Sequence, residues 1–267
     1  MKITNYILSL IVLLILSGCN SGDDNITTEE NILYLKSKKN TNPDFSYLDE
    51  FYVFENGLLI NASGYTTFDG TYSYNNDSNL IQKESIYGNF TYEYDNQGRM
   101  TKELNVDTNN YYELVYSSNK VLINEFYNGN LTPFSEITID SNGKIIKVRK
   151  LVETTSYTSM VQEYSYDNSG NIIQLVYKEN NNGDPDVYVN YEYDENKNPY
   201  YYSLKNLYKN TYYLECRSGI PNYIDKGLTP NNMVIYGNTS YTYEYNLEGY
   251  PISYTKSNGN IYLYEYQ

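Results

Sequence analysis

The 267-residue chain has no histidine and no tryptophan. Without imidazole it lacks the commonest general base and a favoured ligand of zinc. It has two cysteines, Cys19 and Cys216. With no histidine to activate it, Cys216 cannot form a Cys–His nucleophile pair, and it reads as a small buried apolar residue. No apolar run is long enough to cross a bilayer as a helix. Phosphate-binding, dinucleotide-binding and nucleophile-elbow motifs are absent. Positive charge is in short supply: 19 Lys and Arg stand against 33 Asp and Glu, a net charge of −14. That balance argues against nucleic acid and anionic lipid surfaces as partners. Asp184 and Asp186 flank Pro185, and Asp23 adjoins Asp24. Neither pair has a full ligand set for calcium or the setting of a glycosidase site, so both read as solvated loop. No cofactor or metal is expected, and no enzyme activity.

What the chain has in excess is tyrosine, at 37 residues. The tyrosines fall in a recurring pattern, clearest at Tyr92-Glu93-Tyr94-Asp95-Asn96-Gln97-Gly98-Arg99-Met100. Tyr92 and Tyr94 share one strand face, and Glu93 takes the other. Asp95 suits the first position of a type I turn, where its carboxylate can accept backbone N–H groups. Gly98 falls where a G1 bulge needs positive φ. The same grammar returns at Asp140 with Gly143, at Asp167 with Gly170, and at Asn246 with Gly249. Copies at Tyr72–Ser78 and Tyr191–Lys197 lack the glycine, so their turns are open to another type. One hairpin of ~20–27 residues cannot bury its face alone and needs neighbours.

Residues 1–18 read as a leader. Lys2 opens it, Ile7 to Leu16 is apolar, and Leu16-Ser17-Gly18-Cys19 ends it. Residues 19–45 read as a flexible linker, with Ile32 to Leu35 a candidate edge strand, and 46–267 as the hairpin domain. Residues 198–232 break the rhythm. Leu204, Leu207 and Tyr208 have near-helical spacing, so a short helix or long excursion is expected there. It could cap an opening, form a binding loop or merely cover core. The fold expected is all-β: a repetitive antiparallel hairpin meander curled into a barrel or half-barrel, with one irregular or short-helical insertion near 198–232. The carboxylates alternating with tyrosine place the tyrosine face inside and the polar face in water, unlike a lipid-facing barrel wall.

Leu16 to Cys19 resembles the lipobox of bacterial lipoproteins, which implies cleavage before Cys19 and its lipidation. Asn20 to Asn25 resembles the export signal of Bacteroidota surface lipoproteins. The run Tyr92–Met100 resembles the YD repeat of Rhs-type proteins, and overall the chain is similar to uncharacterised Bacteroidota lipoproteins with a porin-like β fold. Those resemblances imply an outer-membrane, lipid-anchored protein facing the periplasm or the cell surface. They supply no catalytic residue. The expected role is a non-enzymatic binding or scaffold module whose partners are the membrane, through Cys19, and envelope proteins or glycans. The alternative is a carbohydrate-binding accessory protein of a glycan-uptake system, with Tyr200, Tyr201 and Tyr202 as candidate platform residues.

Overall fold

The computed structural model describes residues 32–64, 66, 68–151, 160–179, 186–220 and 228–267. The leader, Cys19, the first part of the linker, and Asp184 with Pro185 lie outside the described residues.

The described chain is a run of short strands: β1 (Leu35–Asn40), β2 (Glu50–Glu55), β3 (Leu58–Gly64), β4 (Gly70–Tyr74), β5 (Leu80–Ser85) and β6 (Gly88–Tyr94). There follow β7 (Met100–Asn105), β8 (Tyr111–Tyr116), β9 (Lys120–Tyr127), β10 (Asn130–Ile139), β11 (Ile145–Lys150) and β12 (Met160–Tyr166). The last third holds β13 (Ile172–Glu179), β14 (Val187–Lys197), helix α1 (Pro199–Glu215), β15 (Asn231–Tyr236), β16 (Thr239–Tyr245), β17 (Pro251–Lys256) and β18 (Ile261–Tyr266). Each strand pairs antiparallel with the next, and β1 pairs with both β18 and β2. The meander is therefore a closed 18-stranded barrel, not a half-barrel, and closure leaves no free edge.

β1 is the closing strand, and it lies within the stretch whose composition reads as linker. Its sequence LKSKKN hides it, because only Leu35 offers an apolar inward side chain. Backbone pairing on both flanks holds the strand, with Lys38 opposite Tyr264 on one side and Glu50 on the other. The chain then passes through a 3-10 turn, Pro43–Leu48, so ordered structure continues to β2.

The motif hairpins show why tyrosine recurs. In β6 and β7, Tyr92 is buried and Glu93 exposed. The Asp95 carboxylate accepts from the backbone N–H of Gln97 at 2.9 Å and of Arg99 at 3.0 Å, and Gly98 sits at φ +75°. Asp140 and Asp167 bond their own turns in the same way, with Gly143 and Gly170 also at positive φ. Asn246 does so with Gly249. Of the two copies without glycine, Tyr72–Ser78 keeps the same turn: Asn75 accepts from Asp77 and Asn79, and Ser78 takes φ +61°.

The first tyrosine of a motif fills the interior: Tyr72, Tyr92, Tyr164 and Tyr191 are all buried. The second reaches sideways. Tyr94 donates its hydroxyl to the Leu80 carbonyl at 2.7 Å, on the hairpin before it. Tyr74 to Leu59, Tyr116 to Met100, Tyr166 to Ile145, Tyr193 to Ile172 and Tyr266 to Pro251 repeat that stitch. Each acceptor is the first or second residue of a return strand. A ring that packs like a hydrophobe thus also ties neighbouring hairpins by a half-buried hydrogen bond.

The outer wall carries ion pairs along its strands. Lys120 pairs with Glu136 at 2.9 Å, and Lys147 and Lys178 both reach Glu163, at 3.0 and 2.6 Å. Glu93 pairs with Lys102 at 3.3 Å across the β6–β7 hairpin. A wall in contact with acyl chains would be apolar over ~25 Å, with strands of ~9–11 residues. Most strands here have five to eight residues. Among the described residues no helix is long and apolar enough to cross a membrane.

Candidate functional site

The Asp-turns gather at one rim of the barrel, and α1 is inserted there. Tyr191-Glu192-Tyr193-Asp194 begins as the other motifs do, but β14 runs on to Lys197 and the return strand β15 starts only at Asn231. The two still pair, Tyr191 opposite Tyr236 and Lys197 opposite Asn231. The helix thus fills the place of a hairpin turn. Asn198 caps it, accepting from the Tyr200 N–H at 3.0 Å, and Pro199 follows at the first helical position.

The helix enters the lumen and touches opposite sides of the ring. On the β1–β3 side, Tyr200 donates to Glu50 at 2.6 Å, Ser203 accepts from the Leu35 N–H at 2.8 Å, and Asn206 donates to the Gly57 carbonyl at 2.8 Å. On the far side, Tyr213 donates to the Gly143 carbonyl at 3.1 Å, and the Ile145 N–H reaches the Tyr212 hydroxyl at 3.4 Å. Leu204, Leu207 and Leu214 are buried among the wall's inward side chains. Beyond the helix, Arg217 lies over the Tyr112 ring, 4.5 Å from its centre, and Glu103 lies close enough to favour its charge. Burial pushes the Glu103 carboxyl above its ordinary range, and Arg217 pulls it back.

Two polar groups fix the insertion. Glu50 is buried and accepts from Tyr52 at 2.7 Å, Tyr200 at 2.6 Å and Lys38 at 3.1 Å. Burial first, then the Glu50 charge, drives the Tyr52 and Tyr200 hydroxyls well above their usual range. Asp194 accepts from the N–H groups of Asn196 at 2.9 Å and Asn232 at 3.3 Å, and from the Tyr245 hydroxyl.

Between α1 and the rim lies a cleft of about 440 Å³. The volume is in the ~300–1,000 Å³ range of small-molecule pockets. One helical stripe, Tyr201, Lys205, Tyr208 and Tyr212, forms one side, with Lys209 beside it. The turns holding Gly98, Gly143 and Gly170 form the other, bringing Arg99, Lys144, Tyr116 and Tyr166. Arg99 lies 4.4 Å from the centre of the Tyr116 ring, and Lys144 lies 5.1 Å from that of Tyr166. Asp95 holds Arg99 through two contacts, 2.8 and 2.7 Å. The Arg99 backbone N–H is the main cause that keeps the Asp95 carboxyl below its ordinary range. Burial raises the hydroxyls of Tyr116, Tyr166 and Tyr213, so these tyrosines are neutral hydrogen-bonding groups at ordinary pH.

The three candidate platform tyrosines part company on the helix, because successive residues turn by about 100°. Tyr200 points to Glu50 in the interior. Tyr201 lines the cleft. Tyr202 packs toward Tyr250, with ring centres 6.0 Å apart. The Asp and Gly residues named as turn formers occupy the rim turns, and Gly98, Gly143 and Gly170 line the cleft as well. Cys216 is buried, and burial pushes its thiol far up. Cys19 lies outside the described residues. Lys205, Lys209, Arg99 and Lys144 were not expected at a common site. The spacing of Lys205, Lys209 and Tyr212 on one helix face was readable; their meeting with Arg99 and Lys144 depends on the barrel's closure. Among the described residues no three Cys, Asp or Glu side chains gather as a metal centre.

No protein-family model matches the chain, and no curated protein does. Solved structures similar to it include two porin-like proteins. A porin-like protein from Bacteroides vulgatus ATCC 8482 is 12% identical, with 88% of this chain and 99% of that one covered and a TM-score of 0.42. A porin-like protein from Bacteroides uniformis ATCC 8492 is 13% identical, with 70% and 93% covered and a TM-score of 0.33. Both scores lie below 0.5, so the closed barrel rests on the strand pairing of this chain, which is similar to these two proteins described as porin-like.

Proposed function

We propose that this chain is a non-enzymatic binding module of the cell envelope. It is held at the outer membrane by lipid on Cys19, with the barrel beside the bilayer and not through it. The observation that carries this reading is the helix across the lumen, which fills the space a pore would need and leaves an open cleft at one rim. The ion pairs between strands of the outer wall support the placement beside the membrane. Reconstitution into planar bilayers is expected to give no conductance, and stepwise channel currents would overturn the reading. Labelled palmitate is expected to enter the wild-type protein and not Cys19→Ser, which should leave the membrane fraction.

A second reading, a carbohydrate-binding accessory protein, draws on Tyr201, Tyr208 and Tyr212 along the cleft and on the neighbouring Asn142 and Ser169. Tyrosine faces suit sugar C–H surfaces, and the amide and hydroxyl suit sugar hydroxyls. A glycan array probed with wild type and Tyr201→Ala tests it: saturable binding lost in the variant is expected. Absence of binding to any glycan would leave an envelope protein as the partner.

A further inference from the structure

We infer that the cleft takes an acidic oligosaccharide, one bearing carboxylate or sulfate groups, and that Lys205, Lys209 and Lys144 recognise the acid. The inference rests on the carbohydrate-binding reading and adds the charge of the ligand. The chain as a whole carries −14, yet Arg99, Lys144, Lys205 and Lys209 line this cleft, and no carboxylate is among its described lining residues. Arg99 is paired with Asp95, while the ammonium groups of the three lysines form no ion pair with any described carboxylate.

The contrast with the outer wall is informative. There, Lys102, Lys120, Lys147 and Lys178 each have a glutamate within 4 Å. Other wall lysines, Lys83 and Lys150, form no ion pair with a described carboxylate either, but only at this cleft do three such lysines line one cavity among the described residues. Lys205 and Lys209 are also four apart on the same helix, where like charges repel. Both are exposed, so the repulsion is small, and an anion between or beside them would relieve it. Asp95, Asp140 and Asp167 stand in the same rim turns, but their carboxylates accept from their own turns' backbone N–H groups and none of them lines the cleft.

The rings narrow the ligand class further. Tyr201, Tyr208, Tyr212 and Tyr166 present aromatic surface along a cleft of about 440 Å³. A bare inorganic anion would leave most of that surface uncovered. A ligand of about two sugar rings with acidic substituents would cover the rings and meet the lysines at once.

Isothermal titration of the full-length protein in detergent tests this with four probes: a galacturonic acid dimer, a sulfated heparin disaccharide, cellobiose, and a tetraglutamate peptide. Binding of one or both acidic disaccharides, without cellobiose, is expected, and which one binds identifies the acid group. The Lys205→Gln/Lys209→Gln double variant should bind about tenfold or more weakly. Lys147→Gln, which removes the same charge from the outer wall, should bind as wild type does. Equal binding of cellobiose would overturn the inference while leaving the carbohydrate reading standing. Binding of tetraglutamate alone would overturn both, and so would the absence of binding by any probe. Acidic-sugar binding that survives in the double variant would overturn the assignment to this cleft.

Discussion

The β6–β7 hairpin and the β14–β15 pair begin with the same words and end differently. Both run Tyr-Glu-Tyr-Asp, and both second tyrosines, Tyr94 and Tyr193, stitch to the preceding hairpin. Asp95 then accepts from its own turn and Gly98 closes it. Asp194 has no glycine three residues on, and its carboxylate is taken by Asn196, Asn232 and Tyr245. The chain is released into a cap at Asn198 and a helix that crosses the lumen. The difference teaches that the tyrosine pattern builds the wall, and that the residues after the aspartate decide whether the wall turns back or sends a segment inside.

That comparison can be broken at several points. Tyr164→Ala should cost roughly 3–5 kcal/mol, because it empties a buried ring position that also accepts from the Ile220 N–H beyond the helix. Urea unfolding measures it, and a loss below about 0.5 kcal/mol would put this tyrosine face outside. Asn198→Ala removes the helix cap and the bond to the Thr229 carbonyl, and should cost about 1–2 kcal/mol. No change would mean that the insertion does not depend on its cap. Tyr94→Phe deletes one wall stitch and leaves the ring, so about 1 kcal/mol is expected from the same unfolding curves. Gly98→Ala should cost on the order of 1 kcal/mol from φ alone, since an added Cβ meets nothing within 4 Å. A neutral result would show that the turn relaxes without glycine.

The smallest effect concerns pH and the outer wall. Hydrogen bonds from Lys178, then Lys147, hold the Glu163 carboxyl below its ordinary range. Its contribution to stability is therefore present above the unfolded carboxylate pKa of about 4.3 and is lost as pH falls through the lower folded value. Glu163→Gln should be slightly less stable at neutral pH and indistinguishable from wild type at strongly acid pH. Glu163 is partly exposed, so screening keeps the effect small. An unchanged gap at acid pH would assign the difference to packing.

Much of the wall was legible because its information is local. Asp95 and Gly98 lie three apart, and Tyr92 and Tyr94 lie on one strand face, so turn chemistry and period-two alternation reveal them together. The helix was partly legible through Leu204, Leu207 and Tyr208. β1 was hidden, since LKSKKN owes its strand state to β18 and β2 and not to its own composition. The cleft was hidden for a similar reason. Lys144 and Lys205 are far apart in the chain, and neither is unusual in its own surroundings.

The sequence by itself determined the unit: an antiparallel hairpin with a tyrosine interior face, a polar outer face and a glycine-closed turn. Those choices follow from side-chain alternation and backbone sterics, which act over a few residues. Only the tertiary structure decided that the units close into a ring through β1, that the inserted helix turns inward, and that Arg99, Lys144, Lys205 and Lys209 surround one space. Closure depends on backbone hydrogen bonds between the two ends of the described chain, which any extended segment can make, so composition carries little trace of it. The helix turns inward because its buried stripe and the Tyr200 hydroxyl find partners only once the wall surrounds them.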